Sequence, residues 1–255
     1  MVGSLILILN IEFQLSKPPA QSTARQTLRY TSKMISRYAL YTIAEISKRF
    51  NITAGLPKGV KPQYNISPTT IAPVIIDIDG SPTVKLMGWG LLPKNAKDTN
   101  SVFRYKTYNI PSETIFTKHS WDVAVRQSRC LIPANGFFEL AGSDKQKAYY
   151  AQPQDSSLIA FAGVYSSWQD TDGVDHDTFS IITVKSNDNI PNSSGRMPII
   201  IKLEDEARWL DSSVVDSGSL YDMLPLEPSD NLEVYEVSAA VHSPKASGAN
   251  LIQQV

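Results

Sequence analysis

Cysteine is nearly absent: Cys130 is the only one in 255 residues. That excludes an internal disulfide framework and fits a reducing cytoplasm. No excess of positive charge is present either. Lys and Arg number 24 against 25 Asp and Glu, a formal net charge of −1, so any nucleic-acid contact needs a local basic patch. The three histidines, His119, His176 and His242, stand at no metal-ligand spacing to one another or to Cys130, and no metal is expected. Strand–GxGxxG–helix and GxxxxGK(S/T) loops are missing, which argues against nucleotide-binding folds and their cofactors. Long apolar runs are missing too. The stretch Ser4 to Ile11 (SLILILNI) is too short for a membrane span and lacks the basic flank of a secretory signal, so no membrane association is expected.

What is present is ordinary globular material. Hydrophobic residues make up 42% and charged residues 19%, enough for one domain with a substantial core. The 16 prolines and 13 glycines are scattered, without a linker or internal repeat. Residues 1–33 read as a leader, and residues 34–255 as the domain. Thr42 followed by Ile43, Ile46 and Phe50 gives helical spacing with an N-cap, predicting a helix over 43–50. Strands are predicted over 72–78 and 84–90, then a helix from 121 capped by Ser120. Beyond it come strands over 129–132, 136–140, 147–152, 158–166, 178–185, 198–202 and 232–238, with a helix over 204–210. Many short strands and few helices give an α+β fold with mixed or antiparallel, partly barrel-like sheets. Trp89, Phe138 and Cys130 sit in apolar runs and read as core.

Five stretches in order carry a more specific signal: Tyr64-Asn-Ile-Ser-Pro-Thr69, Gly88-Trp-Gly-Leu-Leu-Pro93 with Ala96-Lys-Asp98, Asn109-Ile-Pro-Ser-Glu-Thr114, Arg129-Cys-Leu-Ile-Pro-Ala-Asn-Gly-Phe-Phe-Glu139 and Gly195-Arg-Met-Pro198. Together they resemble the conserved blocks of the SOS-response-associated peptidase (SRAP) family, over roughly residues 34 to 255. The resemblance implies a protein of the DNA damage response that binds single-stranded DNA and captures the aldehyde of an abasic site. In the family, removal of the initiator methionine exposes a cysteine. Its α-amine, with a pKa of about 8, forms an imine with the aldehyde. The adjacent thiol then closes a thiazolidine ring. A glutamate and a histidine move protons, an asparagine holds the reacting end, and arginines contact phosphate.

Several of those positions are altered here. The opening block reads Met34-Ile-Ser-Arg-Tyr38, so Ile35 stands in place of the cysteine. Ser194 stands in place of the histidine, Pro111 in place of a phosphate-contacting arginine, and Asn95 in place of an aromatic. A lost stacking platform forgoes about 1–3 kcal/mol per base. The resemblance leaves Asn109 and Glu139 as catalytic candidates, and Arg37, Asn65, Pro68 and Arg196 as DNA-contacting ones. Glu139 lies in the apolar run 136–140, where a carboxylate is either paired, with Arg37 or Arg196 as partner, or shifted toward the protonated form a general acid needs. The expectation is a monomeric, degenerate relative that binds single-stranded or abasic DNA weakly and makes no stable crosslink. The alternatives are a non-catalytic module for a protein or peptide partner, and a residual amine-based lyase or autoprocessing peptidase. No Ser/His/Asp arrangement for general proteolysis is readable.

Overall fold

The alternation in Val84-Lys-Leu-Met-Gly-Trp89 produces β4 (Ser81–Trp89), which pairs antiparallel with β3 (Ile71–Ile78), Ile75 opposite Val84. The computed structural model describes residues 35–92, 102, 106–140, 147–170, 173–186, 190, 195–226 and 231–255, all within the unit Ser32–Val255. From β3 the sheet continues to β6 (Arg129–Ala134), β9 (Ile159–Gln169) and β10 (Asp175–Lys185). β10 then returns to β4 through a short parallel pairing, Thr178 opposite Gly88 and Phe179 opposite Trp89. The ring of five strands closes on itself, which removes the exposed edges an open sheet would carry. β5 (Asn109–Pro111) and β11 (Arg196–Pro198) both join the carboxyl-terminal half of β10.

A second, antiparallel sheet has the order β12 (Leu232–Val237), β8 (Ala148–Pro153), β7 (Gly136–Leu140), β1 (Tyr38–Leu40), β2 (Gln63–Ile66). The chain passes from barrel to second sheet at Asn135, between β6 and β7. Its backbone N–H donates to Ala39 O at 2.9 Å, and its Oδ1 accepts from the N–H groups of Tyr41 and Thr42 at 2.8 and 3.2 Å. Its Nδ2 donates to the Thr42 hydroxyl at 2.6 Å. Thr42 therefore does not cap the following helix with its own side chain. That segment is a 3-10 turn, Ile43–Glu45, running into α1 (Ile46–Arg49). Gly136 follows because a Cβ there would stand 2.4 Å from Ala151 O and 2.6 Å from the Tyr150 ring.

The core forms where expected. Trp89, Phe138 and Cys130 are buried, and burial pushes the Cys130 thiol well up. Tyr38 packs edge-on against Trp89 at 5.2 Å and Phe161 at 5.9 Å. The Trp89 indole N–H donates to Tyr108 O at 2.7 Å, as a buried indole requires. The helix expected after Ser120 is α2 (His119–Gln127), with Lys118 at the cap position and no side-chain cap. Residues 204–210 form a 3-10 turn, Leu203–Asp205, and α3 (Glu206–Leu210). A further helix, α4 (Ser217–Asp222), is set by its cap, Asp216 Oδ1 accepting from Ser219 N at 2.8 Å. The strand expected over 198–202 ends at Pro198, with an isolated bridge from Ile200 to Phe161. Among the described residues no helix is long and apolar enough to cross a membrane.

Arg129, the first residue of β6, is buried without a carboxylate at hand in its hydrogen bonds. Its Nε donates to Trp209 O at 2.5 Å and its Nη1 to Val125 O and Arg126 O at 2.8 and 3.1 Å. Nη2 donates to Asp211 O. These carbonyls end α2 and α3, where a helix leaves acceptors unmatched. Each one left buried and unmatched would cost about 1–3 kcal/mol. Arg129→Met is therefore expected to destabilise the fold by at least about 3 kcal/mol in urea unfolding. Arg129→Lys is expected to recover little of it, because an ammonium lacks the planar fork.

Candidate functional site

The site begins at the first described residue. The Ile35 side chain is 2% exposed and belongs to the main core cluster. Its carbonyl accepts from Asn109 Nδ2 at 2.6 Å. Asn109, itself 2% exposed, is fixed by β5, where it lies opposite Ile181 of β10. Its Oδ1 is buried and accepts nothing, an unmatched acceptor that costs roughly 1–3 kcal/mol of lost solvation. The β1–β7 pairing brings in the third residue. Tyr38 lies opposite Phe137, and Phe138 N donates to Arg37 O at 3.0 Å. One step further in the same antiparallel register sets Ser36 opposite Glu139. Glu139 is 1% exposed, between Phe138 and Leu140. Ile35, Asn109 and Glu139 thus gather from three separated stretches of sequence.

Arg37 and Asn65 lie beside them and share a partner. The Arg37 guanidinium donates to Ser36 O at 2.7 Å, Val241 O at 3.4 Å and His242 O at 3.3 Å, engaging three of its five N–H donors. Partial burial lowers its pKa from the ordinary arginine value. Asn65 Nδ2 reaches Val241 O at 3.4 Å, Ser243 O at 2.9 Å and Ala246 O at 3.0 Å, while its Oδ1 is buried with no partner. Both residues fasten the carboxyl-terminal turn around Val241–Ala246 to β1 and β2. Asn65 sits in β2, and a turn begins at Ser67, where Thr70 N donates to Ser67 O at 2.9 Å. Pro68 is half-buried within that turn, next to Thr69, which holds a left-handed φ of 74°.

Arg196 stands apart from this group, on β11. Its Nη1 and Nη2 donate to the two Glu113 carboxylate oxygens at 3.1 and 2.7 Å, its Nε to Thr183 Oγ1 at 2.9 Å and Nη2 again to Thr183 O at 2.6 Å. Four of the five donors are engaged. Burial raises the Glu113 carboxyl, but the bond from Arg196, its own backbone N–H and the charges of Arg196 and Lys185 outweigh it and hold the pKa below the usual carboxylate range. The expected alternative partner of Arg196, Glu139, is not the one seen in these bonds. Thr183 also lies opposite Pro111 and Pro198, so Arg196 neighbours the position where the resemblance places a second arginine. Glu113 and Thr183 were not singled out from the sequence, although Glu113 lies in the same block as Asn109. Ser194 and Asn95 lie outside the described residues. Among the described residues no group of three or more His, Cys, Asp or Glu could hold a metal. Two cavities, about 530 and 800 Å³, are lined by other residues.

Known proteins resemble this chain in sequence and in fold. The family model described as SOS response associated peptidase (SRAP) matches residues 34–244. The chain is 34% identical over 224 residues to the abasic site processing protein YoqW of Bacillus subtilis (strain 168), covering 86% of this chain and 99% of that protein. It is 29% identical over 222 residues to the abasic site processing protein HMCES of Mus musculus, covering 72% and 62% respectively. A solved structure of a protein from Bacteroides thetaiotaomicron, 26% identical, matches with a TM-score of 0.71 over 87% of this chain and 97% of that one. One from Bordetella bronchiseptica, 19% identical, shares the fold with a TM-score of 0.65, over 80% and 99%. With the family pattern running from 34 to 244 and a relative matched almost end to end, the chain belongs to the SOS response associated peptidase family.

Proposed function

We propose that this protein binds single-stranded DNA, intact or abasic, reversibly, and does not close the sulfur-containing ring. The observation that carries the reading is at residue 35: the backbone is held by Asn109 at 2.6 Å, but the side chain is a core isoleucine. An amine and an aldehyde form an imine by losing water, and water reverses the step. Only a thiolate adding to the imine carbon from the same residue converts it to a ring. Cys130 does not substitute for the missing sulfur, since it is fully buried in the barrel wall and its thiol is held protonated by that burial. The relatives' names, abasic site processing proteins, support an abasic strand as the ligand class. In this reading Asn109 and Glu139 line the pocket for the sugar, and Arg37, Asn65, Pro68 and Arg196 border the strand.

The electrostatics make that binding weak. Arg196 is neutralised by Glu113, and Arg37 spends donors on the carboxyl-terminal turn. Binding is expected at low salt by fluorescence polarisation, falling with a log–log slope of about −0.7 per phosphate neutralised; no binding at low salt would falsify the reading. A labelled abasic oligonucleotide heated with the protein in denaturant is expected to run free, and a retained adduct would overturn the missing-ring argument. In a chain beginning at Met34, Ile35→Cys is expected to gain such an adduct, detected on the same gel.

Glu113→Gln is expected to tighten binding several-fold and to steepen the salt slope by about 0.7, as one arginine becomes free for a phosphate. The sign with pH follows from the lowered carboxyl. The Glu113–Arg196 pair is intact above the unfolded-state value of about 4.3 and is lost only as pH falls through the lower folded-state value. The wild-type protein should therefore show no gain in affinity from this group between neutral pH and about pH 5. A rise across that window, abolished by Glu113→Gln, would contradict the assignment.

A further inference from the structure

β4 and β10 close the barrel over two residue pairs only, Thr178 opposite Gly88 and Phe179 opposite Trp89. Toward their amino ends the two parallel strands part. A cavity of about 530 Å³ lies there, lined by Leu86 and Gly88 from one strand, Asp175, His176 and Asp177 from the other, and Ile71 of β3. The register of β4 decides which of its backbone groups face this gap. Asp79 and Gly80, with left-handed φ of 51° and 79°, form a two-residue hairpin turn between Ile78 and Ser81. Such a turn makes the flanking pair a hydrogen-bonded one. Alternation then commits the N–H and C=O of Thr83, Lys85 and Met87 to β3, and points those of Val84, Leu86 and Gly88 the other way. Pro73 and Pro82 both fall at pairs that ask no N–H of them between β3 and β4, as this register requires. Among the described residues no strand pairs with β4 on that side before Gly88.

β10 presents an edge of its own to the same gap. Phe179 O accepts from Gly90 N at 2.7 Å, and Ile181 N donates to Tyr108 O at 3.1 Å, so the odd-numbered residues of β10 turn their backbone away from β9. Asp177 and Asp175 continue that row. Two facing rows of main-chain donors and acceptors are what one extended segment satisfies at once. The side chains divide by alternation. On one face stand Leu86, Gly88 and His176, with Ile71 opposite Gly88 and 61% exposed. His176 is held there by Asp170 at 2.7 Å. On the other face stand Lys85, Asp175 and Asp177. Lys85 lies 3.7 Å from Asp177, which also accepts from Ser167, while Asp175 accepts from the neutral Gln169 amide at 3.2 Å. No Lys or Arg is among the described lining residues. The gap therefore has an apolar side and a side with one carboxylate in excess.

We propose that this gap takes up, as an added strand, an extended segment of a partner protein in which apolar and basic residues alternate. Its main chain pairs with Leu86 and with the amino end of β10. Its apolar side chains lie against Ile71 and Leu86, and its basic ones meet Asp175 and Asp177. The probe is a capped, fluorescently labelled peptide of alternating valine and lysine, titrated against the full chain by fluorescence polarisation. Binding is expected, and it is expected to be lost when the lysines are replaced by glutamates or when every second peptide nitrogen is methylated. Asp175→Asn is expected to weaken the lysine peptide several-fold and to flatten its salt dependence. Leu86→Pro removes one outward N–H and leaves the bonds to β3 in place, so it should weaken the peptide at least tenfold at an unchanged urea midpoint. Should that variant fail to fold, hydrogen exchange on the parent chain decides. The Leu86 amide is expected to slow at least tenfold on adding peptide, with Lys85 and Met87 unmoved. The proposal is overturned by the absence of binding at millimolar peptide, by equal binding of the glutamate or methylated copies, or by a Leu86 amide that does not respond. A free chain that sediments as a dimer and is split by the peptide would give the gap to a second copy and overturn it too. None of these results depends on whether DNA is bound at residue 35.

Discussion

The hydrogen bond from Asn109 to the carbonyl of Ile35 is the constraint on which the site's geometry rests. It joins the first residue of β5, locked in register to the closed barrel through β10, to the segment that enters β1 of the other sheet. The β1–β7 pairing then fixes where Glu139 stands relative to residue 35. A side-chain amide between two sheets holds the chain at one distance and one direction, which a hydrophobic contact would not do. The price is an orphaned, buried Oδ1 on the same residue.

Around that bond the cations serve the fold first. Arg129 ends two helices, Arg37 binds the carboxyl-terminal turn, Arg196 is clamped by Glu113, and Arg49 holds Glu206 through two 2.7 Å bonds. The Glu113 and Glu206 pairings each offset a positive charge that would attract a strand, the carbonyl contacts of Arg129 and Arg37 occupy donors, and the chain as a whole has a net charge of −1. A bidentate pair is also directional, so an arginine so held presents few donors elsewhere. The weak, salt-sensitive binding proposed above follows from this allocation of donors, independent of the chemistry at residue 35.

Much of this was legible before the structure. The alternation of Val84 to Trp89 and the apolar run after Arg129 placed β4, β6 and β7 within a few residues, because period-2 patterning is imposed by burial of one face. The ordered motif blocks singled out Asn109 and Glu139, 30 positions apart in sequence, and the Asn109–Ile35 bond and the β1–β7 register set both close to residue 35. What stayed hidden depends on long-range partners. Three-residue strands such as β1 and β5 are too short to carry a period, and exist because neighbouring strands pair with them. No side chain caps the turn after Thr42, whose hydroxyl instead meets Asn135, 93 residues away, and α4 owes its start to Asp216 despite the poor helix propensity of Ser-Gly-Ser. The Glu113–Arg196 clamp crosses 83 residues, and no local pattern announces it.

In the proposed reading, isoleucine at residue 35 does more than leave out a reactive group. A side chain at that position is 2% exposed and packs in the main core cluster, so an isoleucine there contributes about 1.5–3 kcal/mol of burial. A cysteine is smaller, and in the same space it would leave room that the surrounding core fills only in part, at a cost that grows with the void. A reactive thiol also has to reach its substrate, which deep burial opposes both sterically and by disfavouring the thiolate. Packing and chemistry therefore make opposite demands on this one residue: the core is best filled by a branched apolar side chain that does not move, and ring closure needs a small, accessible, ionisable one. On the proposed reading the buried Ile35 meets the first demand and not the second, and the arginine contacts around it likewise fix groups in structural bonds.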